Sequence, residues 1–139
     1  MKDSIFVDTN ILVYAHDLEA GNKHEVAAKT ISQLWERKNG VLSTQVLQEF
    51  YVTLTRKMFR PLKKVTARRV LQSYFSWQVV INDPQIIMQA SEIEEAYNIS
   101  FWDALIVSAA YSKNAATILT EDLTHGQYIE GILIENPFI

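Results

Sequence analysis

Cysteine is absent from the 139 residues. Neither a disulfide framework, a thiolate metal site nor a catalytic thiol can therefore be built, and nothing requires an oxidising compartment. Glycine (4) and proline (3) are scarce. Such a chain has little room for a linker, and it shows no internal repeat or low-complexity segment. Gly21, Gly40, Gly126 and Gly131 never combine into the glycine-rich loop that a dinucleotide or P-loop phosphate site needs. An excess of positive charge is lacking too: 13 basic against 16 acidic side chains give a formal charge of -3, which argues against binding a duplex by bulk charge. No apolar run approaches membrane-spanning length, and no N-terminal apolar core precedes a small-residue cleavage site. The expectation is one soluble, cytoplasmic domain, with 48% hydrophobic residues to form its core.

What is present is an alternation of short β-branched runs with longer stretches of helical period, the pattern of an α/β domain with a mainly parallel central sheet. Strands are expected at Ile5 to Val7, Val41 to Leu42, Val79 to Ile81, Thr117 to Leu119 and Ile132 to Ile134. Lys23 to Arg37 is amphipathic. A second helix starts after Ser43 or Thr44, both good N-caps, and turns Val46, Leu47, Phe50, Leu54 and Met58 inward. Pro61 separates it from a third, expected from about Thr66 to Trp77. Asp83-Pro84 is an N-cap followed by proline at the first helical position, which starts a helix ending near Tyr97. Ser100 opens the last, through Lys113.

Most acids fall where a solvated helix face would put them. Asp8 does not: it ends the first strand in IFVDTN, at the sheet edge where open parallel sheets place ligands. Its structural alternative is the N-cap of a short helix. Asp103 is the only charge between Phe101 and Ser112, in FWDALIVSAAYS, where a carboxylate is costly to desolvate without a partner. Its alternative is a capping box with Ser100. Glu49, in LQEF, borders an apolar helix face, and Asp122, in LTEDL, follows the fourth strand; a solvated side chain and a turn residue are the ordinary readings of these two. Together they mean more. Carboxylates gathered at one sheet edge raise each other's pKa, so an ionised cluster calls for a cation. An all-oxygen set suits Mg²⁺ or Mn²⁺ rather than zinc.

At these residues the sequence resembles the PIN-domain nucleases, and more closely the VapC-type ribonuclease toxins of toxin–antitoxin pairs. VDTN at Asp8 to Asn10, Glu49 in LQEF, Asp103 in WDALI and Asp122 in LTEDL match the family's four acids in order, and the likeness runs over nearly the whole chain. Glu121 precedes Asp122, so the fourth acid depends on loop register. The resemblance implies a single PIN-like domain and a metal-dependent endoribonuclease. It also implies a homodimer as the working unit and a cognate antitoxin that blocks the acidic pocket. By the same likeness Asp8, Glu49, Asp103 and Asp122 hold Mg²⁺ or Mn²⁺, while Thr9, Asn10 and Thr120 support them by hydrogen bonds that add no charge.

The histidines, His16, His24 and His125, are not spaced as a ligand set, and the first two read as exposed. From Phe50 to Asn82 there is no acid, while Arg56, Lys57, Arg60, Lys63, Lys64, Arg68 and Arg69 cluster in its first half, a segregated stripe suited to RNA phosphates. Its interleaved aromatics, Phe59, Tyr74, Phe75 and Trp77, read as core. Two rivals share a strand ending in Asp. A haloacid-dehalogenase-like phosphatase needs a second Asp where Asn10 stands, and a response-regulator receiver needs an acidic pair and a late Lys that are missing here. An RNA-processing nuclease without an antitoxin, or a non-catalytic binding module on the same fold, stays open, though all four acids being present disfavours the module.

Overall fold

The computed structural model describes residues 3–139. Its centre is a six-stranded sheet in the order β3-β2-β1-β4-β6-β5. Strand β1 (Ile5–Val7) pairs in parallel with β2 (Gly40–Ser43) and β4 (Thr117–Leu119); β2 pairs in parallel with β3 (Gln78–Val80), and β4 with β6 (Ile132–Glu135). Only β5 (Tyr128–Ile129) runs antiparallel, in a hairpin with β6. The expected mainly parallel sheet is what forms. The chain goes outward from β1 to β2 and β3, then returns to the other side at β4. That reversal leaves a crevice at the carboxyl ends of β1 and β4, the position at which open α/β sheets bind ligands.

Helices α1 (Thr9–His16), α2 (Asn22–Arg37), α3 (Thr44–Val52) and α4 (Lys64–Ser73) precede β3; α5 (Pro84–Tyr97) and α6 (Phe101–Ser112) lie between β3 and β4. Right-handed crossovers put the first group and the second on different faces. Packing agrees, since α1 contacts α2 and α3, α3 contacts α4, and α5 contacts α6. The caps are largely those expected. Ser43 Oγ accepts from Val46 N, Asp83 Oδ1 from Ile86 N and Ser100 Oγ from Asp103 N. Phe6, Val7, Leu42, Phe50, Val107 and Ile118 are wholly buried around the sheet. Gly40 is required by contact: a Cβ there would run into the Trp77 ring.

Several boundaries differ from the expectation. The second helix does not stay α-helical: after Val52 it widens into a π turn, Thr53–Lys57, closed by Met58 N donating to Thr53 O. The third begins at Lys64 and ends at Ser73, followed by a 3₁₀ turn, Tyr74–Ser76. Ile81 falls outside β3 and is exposed. Phe59 and Phe75 are not core residues, at 79% and 59% exposure, because one follows the π turn and the other sits in the 3₁₀ turn; Tyr74 and Trp77 do pack, on each other and on Trp35. The hairpin strand β5 was hidden in sequence. Its turn, Glu130-Gly131, has φ of 51° and 78°, the left-handed pair that a two-residue hairpin loop requires. Among the described residues no helix is long and apolar enough to cross a membrane.

Candidate active site

Asp8 follows β1 directly and is 6% exposed. It does cap α1, its Oδ1 accepting from Thr9 N at 2.7 Å, and its Oδ2 accepts from the buried Thr120 hydroxyl at 2.7 Å. Burial pushes its carboxyl up to about 7; the two hydrogen bonds oppose this, and the charges of Asp122 and Glu49 add to it. Thr120, at the end of β4, also accepts from Asp122 N at 3.1 Å, so one hydroxyl ties the ends of the two central strands together.

The other acids arrive from different elements. Glu49 lies on the second turn of α3, where Thr9 Oγ1 donates to its Oε1 at 2.7 Å. Asp122 lies beyond β4, and Asn10 Nδ2 donates to its Oδ2 at 3.0 Å. Asp122 is raised by burial first, then by the charges of Asp103, Glu121 and Glu49. Asp103 stands in the first turn of α6. The returning bond of a capping box is not made among the described residues, and its carboxylate lines the same cleft as the other three. The cleft holds about 540 Å³. All four predicted acids therefore meet in one place, with Thr9, Asn10 and Thr120 donating to three of them.

Glu121 turns the other way. Its carboxylate accepts from Tyr14 Oη at 2.6 Å and from Lys23 Nζ at 2.8 Å. Despite partial burial, those partners hold it below its usual range. Loop register thus sends Asp122 into the cleft and Glu121 into an ion pair.

Sequence reading missed other lining residues. Gln45, Gln48, Val52 and Thr53 line the cleft together with Glu49; extending the helical period from Glu49 in both directions reaches Gln45, Val52 and Thr53, and Gln48 lies three residues on from Gln45. Tyr14 and Trp102 line it too; no sequence signal marked Tyr14, and Trp102 was visible only as the neighbour of Asp103. Of the seven basic residues expected to meet RNA, all exposed, Lys57 is the one at the cleft. Arg60 instead pairs with Glu19 at 3.0 Å. His16 is not exposed as expected: it is half-buried, its Nε2 2.6 Å from Tyr74 Oη, and burial lowers its pKa, with His24 adding to the effect. His24 is likewise half-buried and donates from Nδ1 to Tyr14 O. His125 Nδ1 accepts from Asn136 N, away from the cleft lining.

The donor set suits a hard cation. Every donor is oxygen, and Asn10 Oδ1 is buried at the cleft with no partner. Among the described residues no three acidic or histidine side chains converge tightly enough to enclose an ion by themselves. A cation held here would keep part of its water, as Mg²⁺ and Mn²⁺ do.

Fold and site together define an α/β domain with an acidic cleft at the switch point of a parallel sheet. The chain belongs to the PIN domain family, whose model matches residues 5–128. No curated protein sequence matches it. Solved structures do resemble it. VapC20 of Mycobacterium tuberculosis, a sarcin–ricin loop-cleaving toxin, shares 22% identity over 86% of this chain and 92% of that one, with a TM-score of 0.66. A DNA-bound VapBC from Salmonella typhimurium shares 18% over 98% and 99%, at 0.69. A toxin–antitoxin complex from Klebsiella pneumoniae shares 19% over 96% and 98%, also at 0.69. At these identities the likeness is one of fold, and it agrees with the family expected from the four acids.

Proposed function

We propose that the protein is a divalent-metal-dependent endoribonuclease and the toxin of a VapBC-type pair. The observation that carries this reading is the meeting of Asp8, Glu49, Asp103 and Asp122, drawn from β1, α3, α6 and the loop after β4, in a single cleft. Four carboxylates with so few compensating cations are otherwise costly. Mg²⁺ or Mn²⁺, held by these acids, would polarise a phosphodiester and lower the pKa of a water molecule. The chain's own groups do the rest. A carboxylate of the set takes the proton of the water that attacks phosphorus, and the ribose oxygen leaves as the P–O bond breaks. Thr9, Asn10 and Thr120 fix the carboxylates in place, which avoids reorganisation during the reaction. Lys57, at the cleft, meets phosphate charge, and Arg56, Arg60, Lys63, Lys64, Arg68 and Arg69 extend that contact along the RNA backbone.

The antitoxin partner is supported by likeness, since three of the resembling structures are toxin–antitoxin complexes, while the homodimer follows from the family resemblance alone. Mg²⁺-dependent cleavage of RNA by the purified protein, abolished in folded Asp8→Asn and Asp103→Asn variants, is the expected result. Undiminished cleavage by either variant would remove the metal-site assignment. Growth arrest on induction, relieved by co-expressing a small gene found directly upstream, separates a toxin from an RNA-processing nuclease.

A further inference from the structure

One side chain of the cleft wall has no part in the acid chemistry. Trp102 directly precedes Asp103, lines the cleft, and is 64% exposed. Large aromatic rings ordinarily go to the core. Trp77 behaves that way, partly buried and packed on Tyr74, and even the more exposed Trp35 lies against both rings. Trp102 instead leans by an edge contact on Phe101, 5.5 Å between ring centres at 76°, and leaves its indole facing solvent at the mouth of the site.

The second observation is Gln45, on the first turn of α3 and buried at the same cleft. Its Nε2 donates to the Trp102 carbonyl at 3.4 Å. That bond sets the amide's orientation, because the flipped amide would bring two oxygens together. Gln45 Oε1 is then left buried with no partner. A buried acceptor without a donor is rare and costly, so an N–H or O–H from a ligand is the natural complement.

We propose that Trp102 and Gln45 form a nucleobase subsite beside the acidic cleft, the indole stacking on one unpaired base while Gln45 Oε1 accepts an N–H from that base's edge. The inference rests on the reading of the cleft as an RNA-cleaving site and narrows its substrate to single-stranded RNA. Every base presents a π-face and at least one N–H on its pairing edge, so the subsite selects for an unpaired base rather than for a sequence. In a duplex both the face and the edge are already occupied.

The test uses the Asp8→Asn protein, expected to hold RNA without cleaving it, and a fluorescein-labelled decaribonucleotide, single-stranded or annealed to its complement. Adding Trp102→Ala is expected to weaken single-strand binding about tenfold, within what base–aromatic stacking supplies. Trp102→Phe should retain affinity within about threefold, because a ring still stacks. Duplex affinity should not change. Abasic decamers should bind as weakly as Trp102→Ala does and lose nothing more in that variant. Equal single-strand affinity for the parent, Ala and Phe proteins would overturn the subsite, as would equal losses for strand and duplex. A change of sedimenting mass in Trp102→Ala with RNA affinity intact would overturn it as well, and assign the indole to contact between copies of the chain. The nuclease reading fails separately, through absence of Mg²⁺-dependent cleavage by the wild type, and the binding arms decide the subsite in either case.

Discussion

At Asp8, capping and burial act on the same carboxylate in opposite directions. The backbone N–H of Thr9 and the hydroxyl of Thr120 favour the charged form, while removal from water disfavours it more strongly. With the folded value near 7 and the ordinary value at 3.8, the native protein keeps a proton that the unfolded chain has already lost. The sign follows. In ion-free protein the contribution of Asp8 is fully present below about pH 4, declines as the pH rises, and is gone above about pH 7. Three pKa units correspond to an upper limit on the order of 4 kcal/mol. Asp8→Asn carries one acceptor and one donor, as the protonated carboxyl does, and no charge, so in EDTA it should equal the wild type near pH 4 and exceed its stability near pH 8. Urea midpoints across that range measure this, and parallel profiles for the two proteins would contradict it. Added Mg²⁺ at pH 8 should then stabilise the wild type more than the variant, since only a site with the charge rewards the ion.

Two elements aim side chains that no single residue could. The loop after β4 is held on its far side by Glu121, whose carboxylate is gripped by Lys23 and Tyr14; Lys23 lies 5.0 Å from the Tyr14 ring centre and 5.4 Å from that of Phe138. With Glu121 fixed there, Asp122 is left to face the cleft. Glu121→Gln weakens that grip without touching the cleft acids. Cleavage should fall about tenfold, in line with losses seen when groups behind metal-binding side chains are changed, while Tm moves little. Unchanged kcat would show that Asp122 holds its place unaided. The π turn at Thr53–Lys57 works similarly: spending one extra residue on a turn brings Lys57, rather than Arg56, round to the face of Glu49. Lys57→Ala should therefore lower kcat/KM more than Arg56→Ala, whose effect should be confined to KM; equal losses would remove the distinction. Here lies the limit of legibility. The five parallel strands, the caps and the four acids were readable because each depends on local pattern, and VDTN could be read as a candidate site because a buried strand seldom ends in a carboxylate. The π turn, the 3₁₀ turn and the direction of Glu121 depend on packing between distant segments, as does the exposure of Phe59 and Phe75, and a helical period continues unbroken through residues 53 to 57 in sequence.

Across the whole molecule, charge is segregated rather than abundant. A chain of formal charge -3 whose cleft is lined by Asp8, Glu49, Asp103 and Asp122 must hold a polyanion by a different surface. On the proposed function the acid-free stretch from Phe50 to Asn82 would supply it, with Lys63, Lys64, Arg68 and Arg69 exposed on or beside α4. Phosphate contacts of this kind add affinity by releasing counterions, with a salt slope of about -0.7 per contact for single strands. Arg60 is partly engaged by Glu19, so reversing it also places two acids together. The triple variant Arg60→Glu, Lys63→Glu, Lys64→Glu should therefore raise Kd for RNA steeply at low salt and flatten the dependence of log Kd on log salt by roughly 1.4 to 2 in slope, about 0.7 for each lysine and less for Arg60. Cleavage at saturating RNA should persist, because none of the three lines the cleft. An unchanged slope across a salt series would move the RNA path off this surface, leaving Lys57 and the cleft itself to hold the strand.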